Sequence, residues 1–184
     1  MLCMVILKKA FDKVPHTRLI SKLNSYGISK SIIKWIQDFL AGTKYRVRVN
    51  LSYSLWNWVT SGIPQGSVLG PLLFLIFIND LLECCATHCE IYLFADDAKL
   101  FKHILNECDH QSLQGVSELH VLTQRWLLTL NISKCKVITF GRNIDKTHVY
   151  NIMDNNLVTP LERVDTIKDL GIIMDKKLSF KEHI

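Results

Sequence analysis

The chain has 184 residues, 48% of them hydrophobic and 21% charged, which suits one domain with a real core and describes an ordinary globular protein, not a disordered one. Its 22 Lys and Arg against 17 Asp and Glu leave a net charge of +5, which permits an anionic partner without demanding one. The longest apolar run, Val68 to Ile78, is 11 residues, well short of the roughly 20 a membrane span needs, and no signal peptide opens the chain.

Met1 to Leu7 is an apolar run that predicts a buried strand. A chain that opens inside a core strand reads as a piece of something longer. Pro15 suits the first turn of a helix, with Leu19, Ile20, Leu23 and Tyr26 at helical spacing and Gly27 as its stop. Ser29 is placed to cap a second helix. Ile32, Ile33, Ile36, Phe39 and Leu40 form its apolar face, and Gly42 ends it.

Lys44, Arg46 and Arg48 alternate with Tyr45, Val47 and Val49, which predicts a strand with one wet, cationic face. That face is either solvated or a strip facing phosphates. Tyr53 to Ser61 reads as its partner, with Trp56 and Trp58 on one side. Gly62-Ile63-Pro64-Gln65-Gly66-Ser67 predicts a tight turn whose small residues let a backbone pass close to a ligand. Val68 to Leu82 follows as a largely apolar, buried helix. A Gly-rich turn feeding a helix N-terminus can bind an anion, although most such turns are only turns.

Ile91, Leu93 and Ala95 alternate with Tyr92 and Phe94, which predicts a strand buried on both faces. The Asp96-Asp97 break before Leu100 and Phe101 predicts a tight hairpin, because Asp tolerates positive φ. Adjacent carboxylates between buried strands repel each other and lose hydration. A hard cation such as Mg²⁺ relieves both costs. A solvated Asp-Asp turn is the plain alternative.

Val116, Leu119, Thr123, Trp126, Leu127 and Leu130 predict one long amphipathic helix ending at Asn131. Lys134 to Phe140 then returns as a strand. Shorter strands are expected over His148 to Met153, Leu157 to Thr159 and Ile167 to Met174, and a helix begins at Leu178. The six cysteines read as reduced thiols, and Cys84, Cys85, His88 and Cys89 match no paired zinc-ligand spacing. This order predicts an α+β fold, an antiparallel sheet with helices on one face. It places the first strand beside the Asp-Asp hairpin.

Lys9-Ala10-Phe11-Asp12-Lys13-Val14-Pro15-His16, Gly62-Ile63-Pro64-Gln65-Gly66-Ser67-Val68-Leu69-Gly70-Pro71 and Phe94-Ala95-Asp96-Asp97 stand in the order and spacing of a reverse transcriptase. The detail resembles the non-LTR, LINE-type retrotransposons, especially the jockey-like branch. Asn131 to Lys136 and Lys168-Asp169-Leu170-Gly171 resemble the next two family motifs. The resemblance implies a right-hand polymerase palm with part of the fingers over residues 1–141 and a truncated palm-to-thumb connection over 142–184. It implies DNA synthesis from an RNA template and a DNA primer, with deoxynucleotide triphosphates as substrates and Mg²⁺ or Mn²⁺ in a two-metal route. Asp96 and Asp97 resemble the catalytic metal ligands. Phe11 resembles the aromatic gate under the sugar. Gln65 and Gly66 resemble the nucleotide-site turn, and Lys134 or Lys136 the group near the leaving pyrophosphate. Lys44, Arg46 and Arg48 are the candidate nucleic-acid contacts. Nuclear residence is implied by family, with no membrane association, and the oligomeric state is left open.

The first family motif departs from the pattern. The family's first catalytic acid, which bridges both metals, aligns with Ile6. Asp12 lies six residues further on, in a position with a structural role. Isoleucine cannot ligate Mg²⁺, so the resemblance implies an impaired polymerase. The alternative is a non-catalytic remnant that binds nucleic acid or protein.

Overall fold

The computed structural model describes residues 1–82, 89–106, 109–110, 120–121, 123–141, 147–154 and 157–184. Its elements begin with β1 (Leu2–Ile6), α1 (His16–Ser25) and α2 (Lys30–Leu40). Four short strands follow: β2 (Lys44–Tyr45), β3 (Arg48–Val49), β4 (Ser52–Tyr53) and β5 (Asn57–Trp58). Next come α3 (Leu69–Ile78), β6 (Glu90–Phe94), β7 (Asp97–Phe101) and β8 (Lys136–Ile138). The last are β9 (Asn151–Asp154), β10 (Leu157–Pro160), β11 (Glu162–Arg163), β12 (Thr166–Asp169) and β13 (Ile172–Asp175). The chain divides into two compact units. One, the sheet unit, holds residues 1–8, 80–125 and 129–184; the other, the helical unit, holds residues 9–79 and 126–128.

The sheet unit is built on a five-stranded sheet in the order β11-β8-β1-β7-β6, antiparallel except for the β11–β8 pair. Period-two alternation sorts its residues. Cys3, Val5, Ala98, Leu100 and Val137 are buried on one face. The other face carries Met4 and Ile6 beside Lys99 and Asp97, with Lys136 opposite Met4. β6 is an edge strand with Tyr92 and Phe94 exposed; the burial on both faces expected of it is found instead in the middle of β1, at Cys3, Met4 and Val5. The β12–β13 hairpin packs on the second face through Met4, Ile138 and Ile167. Its turn, Leu170-Gly171, has positive φ at both residues, the pattern of a two-residue hairpin loop.

In the helical unit α1 buries Leu19, Lys22 and Leu23, and Tyr26 faces solvent. Pro15 stands one residue before the first helical residue. Ser29 occupies the N-cap of α2, but its hydroxyl meets Ser31 instead of a backbone N–H. Ile33, Ile36 and Leu40 are buried there and Ile32 is exposed. α3 is shorter than its apolar run and is not buried all round: Leu73, Phe74, Phe77 and Ile78 face inward, and Val68, Leu72 and Leu75 face out.

Three further expectations change. Val116 and Leu119 of the long helix lie outside the described residues, as do Cys84, Cys85, His88 and Cys108. The backbone leaves the helical state at Trp126-Leu127, before Asn131, with Leu127 at φ +58°. The returning strand covers only Lys136–Ile138, because a 3₁₀ turn takes Ile132–Lys134. No helix starts at Leu178. The Asp175 carboxylate instead accepts hydrogen bonds from the backbone N–H groups of Lys177, Ser179 and Phe180 and from the Ser179 hydroxyl, which folds the segment into turns.

Candidate active site and nucleic-acid interface

In the sheet unit the two acids lie where β6 turns into β7. The loop residues are Ala95 and Asp96, and the positive φ falls on Ala95 (+51°), contrary to the expectation that an Asp would take it. Asp97 is already in the ladder, opposite Phe94 on one side and Ile6 on the other. The end of β1 is fixed from both flanks. Leu7 N–H donates to the Asp96 carbonyl at 3.3 Å, and the Ile6 carbonyl accepts from Asn131 N–H at 2.7 Å. Burial holds the Asp97 carboxyl above the usual carboxylate range. The charge of Asp96 adds to this, and Lys99 opposes it.

Two residues along β7, Lys99 Nζ lies 2.6 Å from Asp169 Oδ1 of β12, with both side chains largely buried. The approach is an ion pair by distance, since its angles fall short of a hydrogen bond. A cavity of about 430 Å³ opens beside Ile6, lined by Ser133, Lys134, Lys136 and Lys168 among others. Lys136 lies 3.5 Å from Glu162. Lys168 belongs to a stretch singled out only as a motif resemblance, and the fold brings it into this group by setting β12 beside the 3₁₀ turn.

In the helical unit the segment Phe11–Val14 is knitted to the 61–67 turn. Gly62 N–H donates to the Val14 carbonyl, Ile63 N–H to the Phe11 carbonyl, and the Ser61 hydroxyl to the Asp12 carbonyl. Gln65 Nε2 donates to the Asp12 carboxylate at 3.0 Å. Asp12 therefore braces the turn that carries Gln65, which agrees with a structural role. Gly62 is required twice over: its φ is +88°, and a Cβ there would sit 2.7 Å from the Asp12 carbonyl oxygen. Phe11 stacks on Phe74 of α3 with ring centroids 4.1 Å apart. Gly66, at φ +80°, has open space around it.

The basic segment forms a hairpin, not one continuous strand. Lys44 pairs with Trp58 and Arg48 with Tyr53, so the 53–58 side carries one more residue than the 44–48 side. That extra residue is a bulge, and it turns Tyr53 onto the same face as Trp58. Lys44 Nζ sits 3.9 Å from the Trp58 ring centroid. The Arg46 guanidinium lies 3.9 Å from Tyr53 and 4.6 Å from Trp56, and Arg48 lies 5.4 Å from Tyr53. The expected wet face is thus cationic and aromatic at once. Alternation revealed the cations, and the bulge that adds Tyr53 to them has no simple sequence signature.

An antiparallel sheet with paired acids on the hairpin beside its first strand is the build of a polymerase palm. The fold is similar to the solved structure of apo telomerase from Candida tropicalis truncated from its C-terminal domain. The TM-score is 0.62 at 13% identity, over 98% of this chain and 34% of that one. The chain belongs to the reverse transcriptase (RNA-dependent DNA polymerase) family, whose sequence pattern matches residues 2–174. It is 31% identical to a probable RNA-directed DNA polymerase from transposon BS of Drosophila melanogaster, over 97% of this chain and 20% of that protein. It is 29% identical to the RNA-directed DNA polymerase from mobile element jockey of Drosophila funebris, over 99% of this chain and 20% of that protein. The non-LTR assignment follows from these relatives. The chain spans about a fifth of their length. Among the described residues no helix is long and apolar enough to cross a membrane.

Family membership implies divalent-metal use, and the local chemistry tests the fit. Asp96 and Asp97 form a repelling, partly desolvated pair that a hard cation would relieve. Two carboxylates suit one Mg²⁺-like ion completed by phosphate and water oxygens. A second, bridged ion needs a further acid, and Ile6 holds the position opposite Asp97. Among the described residues no group of three His, Cys, Asp or Glu side chains is placed to hold a metal.

Proposed function

We propose that this chain is the palm and part of the fingers of a non-LTR reverse transcriptase, with nucleotidyl transfer crippled at one position. Residues 1–141 supply the palm and fingers, and 142–184 lead toward a thumb. The substrates are an RNA template, a DNA primer and deoxynucleotide triphosphates. Asp96 and Asp97 would hold Mg²⁺ or Mn²⁺, which when bound would polarise phosphoryl oxygens as a Lewis acid. Phe11, braced by Phe74, forms the floor under the sugar. Gln65 and Gly66 shape the nucleotide site, and Gln65 is oriented by Asp12. Lys134 lies toward the leaving pyrophosphate, and Lys44, Arg46 and Arg48 contact backbone phosphates.

The observation that carries the impairment is the in-register pairing of Ile6 with Asp97. β1 pairs with Asp97 at Ile6, and the side chain at that position is a hydrocarbon where the family pattern carries an acid. If the missing bridge removes about 4 kcal/mol of transition-state stabilisation, the rate falls roughly a thousandfold. The same observation favours a second reading, a remnant that binds nucleic acid without copying it. Oligo-dT extension on poly-A RNA with Mg²⁺ or Mn²⁺ separates the two, using the chain as it stands, Ile6→Asp, and Asp96→Asn with Asp97→Asn. Extension restored by Ile6→Asp supports a disabled polymerase. Extension by the unaltered chain, lost in the double Asn variant, would sink the assignment of Ile6 as the defect. Silence from all three folded proteins favours the binding remnant.

A further inference from the structure

The 44–58 hairpin carries chemistry that phosphate contact alone does not use. It holds Lys44, Arg46 and Arg48 and no Asp or Glu. None of its three cations pairs with a carboxylate among the described residues. On the same face stand Tyr53, Trp56 and Trp58, whose relative exposures of 52%, 58% and 60% are high for aromatic rings. Cation and ring alternate by contact: Lys44 on Trp58, Arg46 between Tyr53 and Trp56, Arg48 on Tyr53. The guanidinium and ammonium groups pre-order the rings and occupy one side of each.

We propose that this face is a stacking platform for single-stranded nucleic acid, with Tyr53, Trp56 and Trp58 taking bases and the three cations taking the backbone. The proposal rests on reading the hairpin as a nucleic-acid contact and goes beyond it by naming the strand state and the groups that select it. Three cations with no carboxylate partner among the described residues suit a polyanion, and ring exposure argues against duplex. Residues two apart on a strand repeat at about 6.6 Å. That is about twice the 3.4 Å rise per nucleotide of a stacked strand. Trp58 stands two residues after Trp56, and Trp56 three after Tyr53, so a polynucleotide laid along the hairpin meets rings no closer than about two stacked steps apart, and its bases engage only if they unstack. A duplex offers its phosphates but no free base faces, and leaves the rings in water. Base–aromatic stacking of this kind tolerates any sequence.

The platform does not end at the hairpin. Tyr45 and Trp58 also line a cavity of about 480 Å³ bounded by Thr43, Ser61, Pro64 and Gln65. That volume lies within the range of small-ligand sites. A strand stacked on Trp58 therefore runs toward the turn that Asp12 braces.

The test is fluorescence anisotropy of the whole chain with labelled oligo-U RNA, oligo-dT and a blunt duplex of equal length, across a salt series. Three variants accompany it: Trp56→Ala with Trp58→Ala, the same pair changed to Phe, and Lys44→Gln with Arg46→Gln and Arg48→Gln. All the altered side chains are exposed, and circular dichroism confirms the fold of each. Tighter binding of either single strand than of duplex is expected. The Ala pair should weaken it at least about twentyfold, at about fivefold or more per ring, and the Phe pair should restore most of it. The Gln triple should lower the slope of log affinity on log salt by about 2. An Ala pair that binds like the parent, beside a weakened Gln triple, overturns the stacking platform and leaves the phosphate reading standing. Equal affinity for duplex also overturns it. If the Gln triple too is without effect, both readings fail. If the Ala pair converts a dimer to a monomer and binding is unchanged, the face belongs to a second copy and the proposal is overturned.

Discussion

Ile6 and Asp97 stand opposite each other in the β1–β7 ladder, with Leu7 N–H bonded to the carbonyl of Asp96 one step further along. The backbone at the end of β1 is therefore placed to offer a side chain to the acid pair. Ile6→Asp is expected to raise primer extension about a thousandfold with Mg²⁺ present. In EDTA a third acid beside the partly desolvated Asp97 should destabilise the fold, by about 1–3 kcal/mol. Melting temperature with and without Mg²⁺ checks this: the variant should lie below the parent in EDTA and recover with the ion. A variant with equal melting temperatures in both media would count against a metal site at this hairpin.

Gly62 sits where two segments of the helical unit meet. A methyl group there would lie 2.7 Å from the Asp12 carbonyl oxygen and 2.8 Å from its Cα, both main-chain atoms that cannot swing aside. Its φ of +88° adds conformational strain for any side chain. Gly62→Ala is expected to cost at least about 2 kcal/mol in urea unfolding. It should also detach Gln65 from Asp12. Gly27→Ala is the control: it has positive φ but nothing within 4 Å, so it should cost only the strain, about 1 kcal/mol.

Much of this arrangement was legible because it rests on local chemistry. Leu2–Ile6, the helices α1 and α2 and the hairpin at Asp96 follow from periodicity, Gly stops and turn residues. Several misreadings share a cause: they required knowing what lies next to an element. Tyr92 and Phe94 look like core residues until β6 proves to be an edge strand. Val68, Leu72 and Leu75 look buried in a run of apolar letters, yet only one side of α3 is covered. The Lys99–Asp169 pair spans 70 residues and depends on β12 folding onto the sheet, which no local pattern announces.

That pair is expected to be strongly coupled. Lys99 and Asp169 side chains are 12% and 15% exposed, so losing one partner strands a charge in a poorly solvated place. Lys99→Met should cost about 3 kcal/mol, and Lys99→Met with Asp169→Leu much less than the sum of the two single changes. A double-mutant cycle by chemical denaturation reads the coupling. Additive effects would show that the contact contributes nothing beyond packing. Asp97 gives a second readout, because Lys99 is the cation that opposes its upward displacement. Removing Lys99 should push the Asp97 carboxyl higher still.

The acid sensitivity of the C-terminal turns should trace to Asp175. Its carboxyl is held below the usual range, first by the Ser179 hydroxyl and then by the backbone N–H groups of Lys177, Ser179 and Phe180. A carboxylate lowered in the folded state binds its proton less readily than in the unfolded chain. Its stabilising effect is therefore complete above the unfolded value, about 3.9, and is lost as pH falls through the lower folded value. Asp175→Asn keeps one acceptor but has no charge to titrate. Between pH 7 and pH 5 the variant should be less stable than the parent by a constant amount. Below about pH 4 the difference should shrink, because the parent loses what the variant never had. Thermal melts at pH 7, 5, 4 and 3 check this, with Ser179→Ala as the partial case that removes only the hydroxyl's hydrogen bond. A gap that widens toward low pH would mean that the 175–180 segment is held by something other than the carboxylate.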